Sequence, residues 1–215
     1  MARTPGLSKQ HIVQAAIDLL DEVGVEALTV RALAAKLDVK APALYWHVRD
    51  KRELADEMAT EIWRRVGADL DALPAEITWD AEMRAFARIT RDHFLAHRDG
   101  ARVFGGTQLT DVNVLRRQER QLARWLEQGF ELADVVRIFT LLYDFVLGFC
   151  IETQAVAQAD EDQYSPTLRA ERVGAKEHPL VAASGALIFG DPNERFEDLI
   201  DVLVDTAGRM RTGGL

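Results

Sequence analysis

Cysteine is almost missing from this chain. A single thiol, Cys150, in 215 residues excludes an intramolecular disulfide framework and any zinc site built from cysteines. Long apolar runs are missing too. No stretch reaches the roughly 18 residues that would span a bilayer, and residues 1–10 hold no apolar core, so neither a membrane partner nor a signal peptide is expected. Positive charge is in short supply: 26 basic residues against 35 acidic ones leave a net charge of −9. That excludes a chain that is basic throughout and binds nucleic acid by charge alone. Alternating β patterns and hairpin dipeptides are lacking. What is present, 48% hydrophobic and 28% charged residues, is the balance of a soluble globular protein. The length suits one large domain or two small ones. Cytoplasmic localisation is the expectation.

Helical periodicity fills the sequence, and the expected fold class is all-α. Ser8 caps a first helix with Ile12, Ala16, Leu19, Leu20 and Val23 on its apolar face, closed by Gly24. Thr29 caps a short second helix (Leu33, Ala34, Leu37). Pro42, tolerated in a first turn, starts a third over 41–48. Asp50 caps a fourth through Leu54, Met58, Ile62 and Val66, and Pro74 breaks the chain. Further helices are expected over 79–97, 111–128, 132–159 and 193–211, with a short piece between Gly100 and Gly105. The 132–159 segment is apolar on more than one face, which calls for a partner surface. The polar stretch 160–185, with Pro166, Gly174, Pro179 and Gly185, reads as a mobile excursion.

Charge is distributed unevenly. Residues 27–52 carry six basic residues (Arg31, Lys36, Lys40, Arg49, Lys51, Arg52) and two acidic ones (Asp38, Asp50), a local +4 that leaves −13 elsewhere. Alone, such a cluster reads equally well as a solvated face. Its setting decides: two short helices separated by Asp38-Val39-Lys40 have helix-turn-helix spacing, in which the second helix enters the major groove of double-stranded DNA. Tyr45 and His47 can donate to phosphate oxygens, and Trp46 offers an apolar wall with one N–H. Lys51 opens the next helix, where its charge and the helix N-terminus can both meet a phosphate. Taken singly, Trp46 reads as core.

The stretch LTVRALAAKLDVKAPALYWHVRDKRELADEMA (28–59) resembles the DNA-binding domain of the TetR family, closest to its tetracycline repressor class. AHRDGARVFGGT (96–107), QLARWLEQGF (121–130) and LGFCIETQ (147–154) extend the likeness into the second half. The resemblance implies a homodimeric, ligand-released repressor of a palindromic operator, its dimer interface built by 132–159 and 193–211. The implied organisation is a helix-turn-helix DNA-binding domain over 1–50, a connecting helix over 51–74, and a ligand-binding and dimerisation domain over 75–215. It places Arg31 on a base-reading arginine, and Lys40, Ala41, Pro42, Ala43, Tyr45, Trp46, His47 and Lys51 on the DNA-facing segment. Ala41, Ala43 and Val30 depart from a glutamine and two threonines, so the operator should differ from the tetracycline operator. The implied mechanism is a shift of the connector 96–106 on ligand binding, which pulls on the fourth helix.

For the effector, the resemblance implies a pocket formed by Phe86, Thr90, Phe104, Thr107, Gln121 and Glu152. Phe104 falls where the repressor class has the histidine that binds drug-borne magnesium, and it has no lone pair to give. Phe86 replaces an asparagine, Thr90 a phenylalanine, and Gly67 falls near a pocket histidine. No metal site and no cofactor are therefore expected, and the ligand should be a different, aromatic or polyketide-like molecule. Phe86 and Phe104 taken singly read as core. Glu152, in so apolar a helix, would need a partner such as an arginine across the dimer interface. His93 and His97 have metal-binding spacing but no third ligand, which favours a structural role. An enzyme is the competing class. Asp92, His93 and Cys150 supply residue types for it, yet no nucleophile elbow, phosphate loop or metal signature accompanies them. A regulator controlled by a protein partner is the other alternative.

Overall fold

Side-chain caps set where the first helices begin. In the computed structural model, which describes residues 7–160 and 163–213, Ser8 Oγ accepts from the His11 N–H at 3.2 Å and opens α1 (Lys9–Ala27). Ile12, Ala16 and Leu20 recur at helical spacing and are fully buried. Gly24, at φ 76° and ψ 172°, breaks the regular helix. Thr29 Oγ1 accepts from Ala32 N–H at 3.1 Å and opens α2 (Val30–Lys36). A left-handed Asp38 (φ 52°) turns the chain, and the Val39 N–H closes the turn on the Ala34 carbonyl at 3.0 Å.

The third helix is shorter than expected: α3 is Ala41–Leu44, not 41–48. The N–H groups of His47 and Val48 both converge on the Leu44 carbonyl, at 2.8 and 3.0 Å, so Tyr45–His47 form a tight turn. Asp50 must be extended (φ −156°, ψ 179°) to accept from the Glu53 N–H and cap α4 (Lys51–Asp71). A helix carried further would leave no residues in which to make that change of direction. Leu33, Leu44, Val48 and Leu54, each 2% exposed or less, lock α1–α4 together. Each such side chain stabilises the fold by about 1.5–3 kcal/mol through burial.

The rest of the chain forms a second helical body: α5 (Trp79–Leu95), α6 (Gly100–Phe104), α7 (Val112–Glu127), α8 (Leu132–Ala157), α9 (Pro166–Val173), α10 (Pro179–Ile188) and α11 (Pro192–Arg211). The α8 helix packs along α5, and α11 lies against both. Trp125, Phe94, Phe104 and Phe196 are its largest fully buried side chains. The expected excursion over 160–185 is instead largely helical. Pro166 and Pro179 occupy first-turn positions of α9 and α10, where a proline starts a helix rather than breaking one. Residues 161 and 162 of that stretch, like 1–6 and 214–215, lie outside the described residues.

One face of α8 (Val135, Ile138, Leu142, Val146) is buried in this body, while Leu132, Val136 and Leu141 on other faces are about half exposed, beside Leu199 and Val202 of α11. There is no strand among the described residues, and no helix among them is long and apolar enough to cross a membrane.

Candidate nucleic-acid interface and core cavity

Helix α2, the turn after it and α3 carry the residues singled out in the N-terminal body. Arg31 is exposed in the first turn of α2, and Lys40 is exposed immediately before α3, without capping it. Pro42 is exposed, while Ala41, Ala43 and His47 are partly buried. Tyr45 is 52% exposed and Trp46 is 89% exposed, so Trp46 is not the core residue that it resembles when taken singly. Leaving an indole in water forgoes about 1.5–3 kcal/mol of burial, and no aromatic or cation–π pair among the described residues uses its ring. Arg31, Lys40 and Arg52 make no ion pair among the described residues, whereas Lys36 pairs with Glu22 and Arg49 with Glu53. In this last pair the Arg49 backbone N–H and then its guanidinium donate to the Glu53 carboxyl and hold it below the carboxylate range, and the same side-chain hydrogen bond raises the Arg49 pKa. Lys51 is exposed but tethered: its Nζ donates to the Val25 carbonyl at 2.9 Å.

That carbonyl belongs to a joint between the two bodies that was not anticipated from the sequence. The segment His97–Arg102 grips the last turns of α1. Asp21 accepts from the Arg98 N–H at 2.9 Å and faces His97 Nδ1 at 2.9 Å. Arg102 reaches Glu26 at 2.9 Å. At the centre Asp99, left-handed at φ 55° and 6% exposed, accepts from the Val25 N–H through Oδ2 at 3.0 Å and from Gln158 Nε2 through Oδ1 at 3.1 Å. Burial pushes the Asp99 carboxyl up, but these donors and the nearby Arg102 and Arg98 more than offset it and hold it below its ordinary value. A side chain at Gly24 would collide with Asp99 Oδ2, at 3.0 Å from its Cβ, besides being strained by the positive φ. Gln154 of α8 anchors the same segment by donating to the carbonyls of Phe94 (3.1 Å) and His97 (2.7 Å).

The other end of α6 is Phe104, and it lies in the wall of a cavity of about 620 Å³, within the usual size of a small-molecule pocket, about 300–1,000 Å³. Trp63, Phe86, Phe139 and Tyr143 line it with Phe104. Trp63 stacks on Phe86 at 6.4 Å, and Phe86 meets Phe139 edge-on at 5.2 Å. Burial raises the Tyr143 phenol above its ordinary value, so it faces the cavity as a neutral hydroxyl. The polar lining is basic. Arg124 pairs with the buried Glu82, which also accepts from the Trp125 indole N–H at 3.0 Å. Arg117 and Arg120 share one carboxylate, Asp71, at 3.2 and 3.7 Å.

This donor set does not suit a divalent cation. Both lining carboxylates are engaged by guanidinium groups, the Thr107 hydroxyl donates to the Phe104 carbonyl at 2.9 Å, and no histidine lines the cavity. A magnesium ion would enter beside three arginines.

Of the residues expected at the pocket, Phe86, Phe104, Thr107 and Gln121 line it together, and Thr90 and Glu152 do not. Thr90 is fully buried, its hydroxyl without a hydrogen-bond partner among the described residues. Glu152 is exposed on α8, so it is not the buried carboxylate its apolar surroundings suggested. The two histidines with metal-binding spacing each face a different carboxylate, His93 Asp69 at 2.7 Å and His97 Asp21 at 2.9 Å, in line with the structural role favoured for them. Cys150 is fully buried, and burial pushes its thiol up to about 12, far from a nucleophile's range. Trp63, Phe139, Tyr143 and Arg117 were not legible as pocket residues, because they come from three helices far apart in the chain. Only the apolar register of α4 and α8 could have marked Trp63, Phe139 and Tyr143 as facing inward, and nothing local marks Arg117.

Two family models match: "Bacterial regulatory proteins, tetR family" over residues 12–58 and "Tetracyclin repressor-like, C-terminal domain" over 73–206. The class A tetracycline repressor protein from transposon 1721 of Escherichia coli is 35% identical over 211 residues, 95% of this chain and 92% of the relative. A possible TetR family transcriptional regulator from Streptomyces coelicolor A3(2) superposes with a TM-score of 0.81 at 32% identity, covering 93% of this chain and 98% of that one. A class A TetR solved with 5a,6-anhydrotetracycline and magnesium gives a TM-score of 0.69 at 29% identity, over 96% and 99% of the two chains.

Proposed function

The chain belongs to the TetR family of bacterial transcriptional regulators, and from that premise we propose that it is a cytoplasmic homodimeric repressor, released from a palindromic operator when a small aromatic molecule enters the core cavity. It is a ligand-responsive DNA-binding regulator and not an enzyme. One observation carries the proposal: α6 is five residues long, with Asp99 before it holding the reading head at Val25 and Phe104 at its end in the cavity wall. A ligand that displaces Phe104 moves a rigid turn whose other end is tied to α1. The switch works if the ligand prefers the displaced geometry by several kcal/mol.

The reading head is 1–50, the connecting helix 51–74 and the effector and dimer body 75–215. Arg31 reads a base edge, with Lys40, Ala41, Pro42, Ala43, Tyr45, Trp46 and His47 against the duplex. The Lys51 ammonium braces the head through the Val25 carbonyl, while the amino end of its helix remains available to a phosphate. The apolar surface of α8 and α11 is covered by the second protomer, which sets the two α3 helices about one duplex turn, roughly 34–36 Å, apart. Phe86, Phe104, Thr107 and Gln121 contact the ligand directly; Thr90 supports Phe86 and Phe94 from behind, and Glu152 acts from the dimer face.

The test is fluorescence anisotropy on the DNA upstream of the protein's own gene, across a salt series, wild type beside Arg31→Ala. Nanomolar, salt-sensitive binding weakened by the substitution is expected. Wild-type binding no tighter than to scrambled DNA would refute self-repression. Isothermal titration with magnesium–tetracycline is expected to show no nanomolar site, because no histidine lines the cavity and both of its carboxylates are held by arginines.

A further inference from the structure

The cavity has an excess of positive charge that neither its aromatic wall nor the fold requires. Glu82 is consumed at one side by Arg124 and Trp125. That leaves Arg117 and Arg120 with one partly exposed carboxylate, Asp71, between them. Arg117 touches Asp71 through a single nitrogen and makes no other polar contact among the described residues, although a guanidinium carries five N–H donors in a planar fork. Its position is built. The guanidinium lies across α4 at Gly67, and a Cβ there would run into it. Glycine in the middle of a helix costs about 0.5–1 kcal/mol relative to alanine, and here the missing side chain is the space that the guanidinium occupies at the cavity wall.

We propose that this cavity selects an aromatic carboxylate, bound without a metal, with its acid group docked on Arg117 and its rings against Trp63, Phe86, Phe104 and Phe139. The inference rests on the reading of this cavity as the effector site. A carboxylate matches the guanidinium fork in bidentate geometry. The neighbouring aromatic rings lower the local polarity and strengthen that pairing. Arg120, at the more exposed mouth, adds attraction during entry and little specificity.

Isothermal titration of the full-length protein, in buffer containing EDTA, compares anthraquinone-2-carboxylate with its primary amide. The acid should bind about tenfold more tightly than the amide, as expected for one charge-assisted pair on a guanidinium that is itself partly exposed. Arg117→Gln should abolish the preference by weakening the acid alone, and Arg117→Lys should restore part of it. Gly67→Ala should do the same as Arg117→Gln with every charge retained, since it only displaces the guanidinium. Equal or reversed preference, an acid that binds only with added magnesium, or no binding of either probe at about 1 mM would overturn the proposal. The same samples are tested on upstream DNA. Release by the amide and not the acid overturns the charge selection and leaves the repressor reading intact. Absence of upstream-DNA binding by the unliganded protein refutes self-repression, while acid preference in the titration still upholds the chemistry of the cavity.

Discussion

Replacing Asp99 by alanine removes two hydrogen bonds from the joint between the bodies and leaves a methyl group on a left-handed residue. The carboxylate accepts from the Val25 N–H at 3.0 Å and from Gln158 at 3.1 Å, and only 6% of the residue reaches solvent. A hydrogen bond to a charged group contributes roughly 1.5–3 kcal/mol, and a left-handed backbone costs an alanine roughly 1–2 kcal/mol. With the overlap between the two hydrogen bonds, the loss comes to about 3–5 kcal/mol. Asparagine tolerates the conformation, keeps an oxygen for Val25, and can pair with Gln158 once that amide turns over, so Asp99→Asn should lose only about 1–2 kcal/mol. Urea unfolding at one fixed protein concentration measures both, because the stability of a dimer depends on concentration. Hydrogen exchange locates the effect: the Val25 amide should exchange markedly faster in Asp99→Ala, ahead of the α1 core. Equal stability of the two variants within about 0.5 kcal/mol, or an unchanged Val25 amide, would refute the assignment of Asp99 as the joint.

Acid should weaken the protein through the same group. Asp99 and Glu197, the latter held by Arg88, both lie below their ordinary values of 3.8 and 4.5. Their contribution is therefore complete above those values and is lost as pH falls through the lower folded ones. Urea midpoints should be flat from about pH 7 to 5 and drop below about pH 4, less steeply in Asp99→Asn. Glu82→Gln leaves Arg124 facing a neutral amide; the expected loss is about 2–3 kcal/mol by thermal unfolding, less than for a wholly buried pair because Arg124 keeps 30% of its side chain exposed. Trp46→Ala should leave stability unchanged within about 0.5 kcal/mol and weaken operator binding at least tenfold, measured by anisotropy.

The fold was legible wherever local chemistry decided it. Ser8, Thr29 and Asp50 accept the hydrogen bonds their positions suggested, and helical periodicity located α1, α2, α4, α5, α7, α8 and α11 to within a few residues. It failed at Pro166 and Pro179, since a proline that starts a helix and one that ends a helix look alike until the flanking periodicity is weighed. It failed again at α3, where the need to extend Asp50 is a demand of the next helix and not of α3. The cavity was half legible. Phe86, Phe104, Thr107 and Gln121 came from resemblance and do line it. Arg117 came from nowhere in the local sequence, because its role depends on a glycine 50 positions away on a different helix. The Asp99-Gly100 pair did carry a local signal, a dipeptide suited to a left-handed turn. Its hold on Val25 is a contact across 74 positions that no periodicity encodes.

Gly67 also bears on how such a protein can be engineered. A programme that raises thermostability by filling helices with strong helix formers would choose Gly67→Ala early, for a gain of up to about 1 kcal/mol. Arg117 is a flexible side chain and would simply swing aside, so the variant would express well, melt later and pass every screen for folding. Screened only for heat resistance, it would have become a tighter-folded protein that no longer tells the acid proposed as its inducer from a neutral analogue.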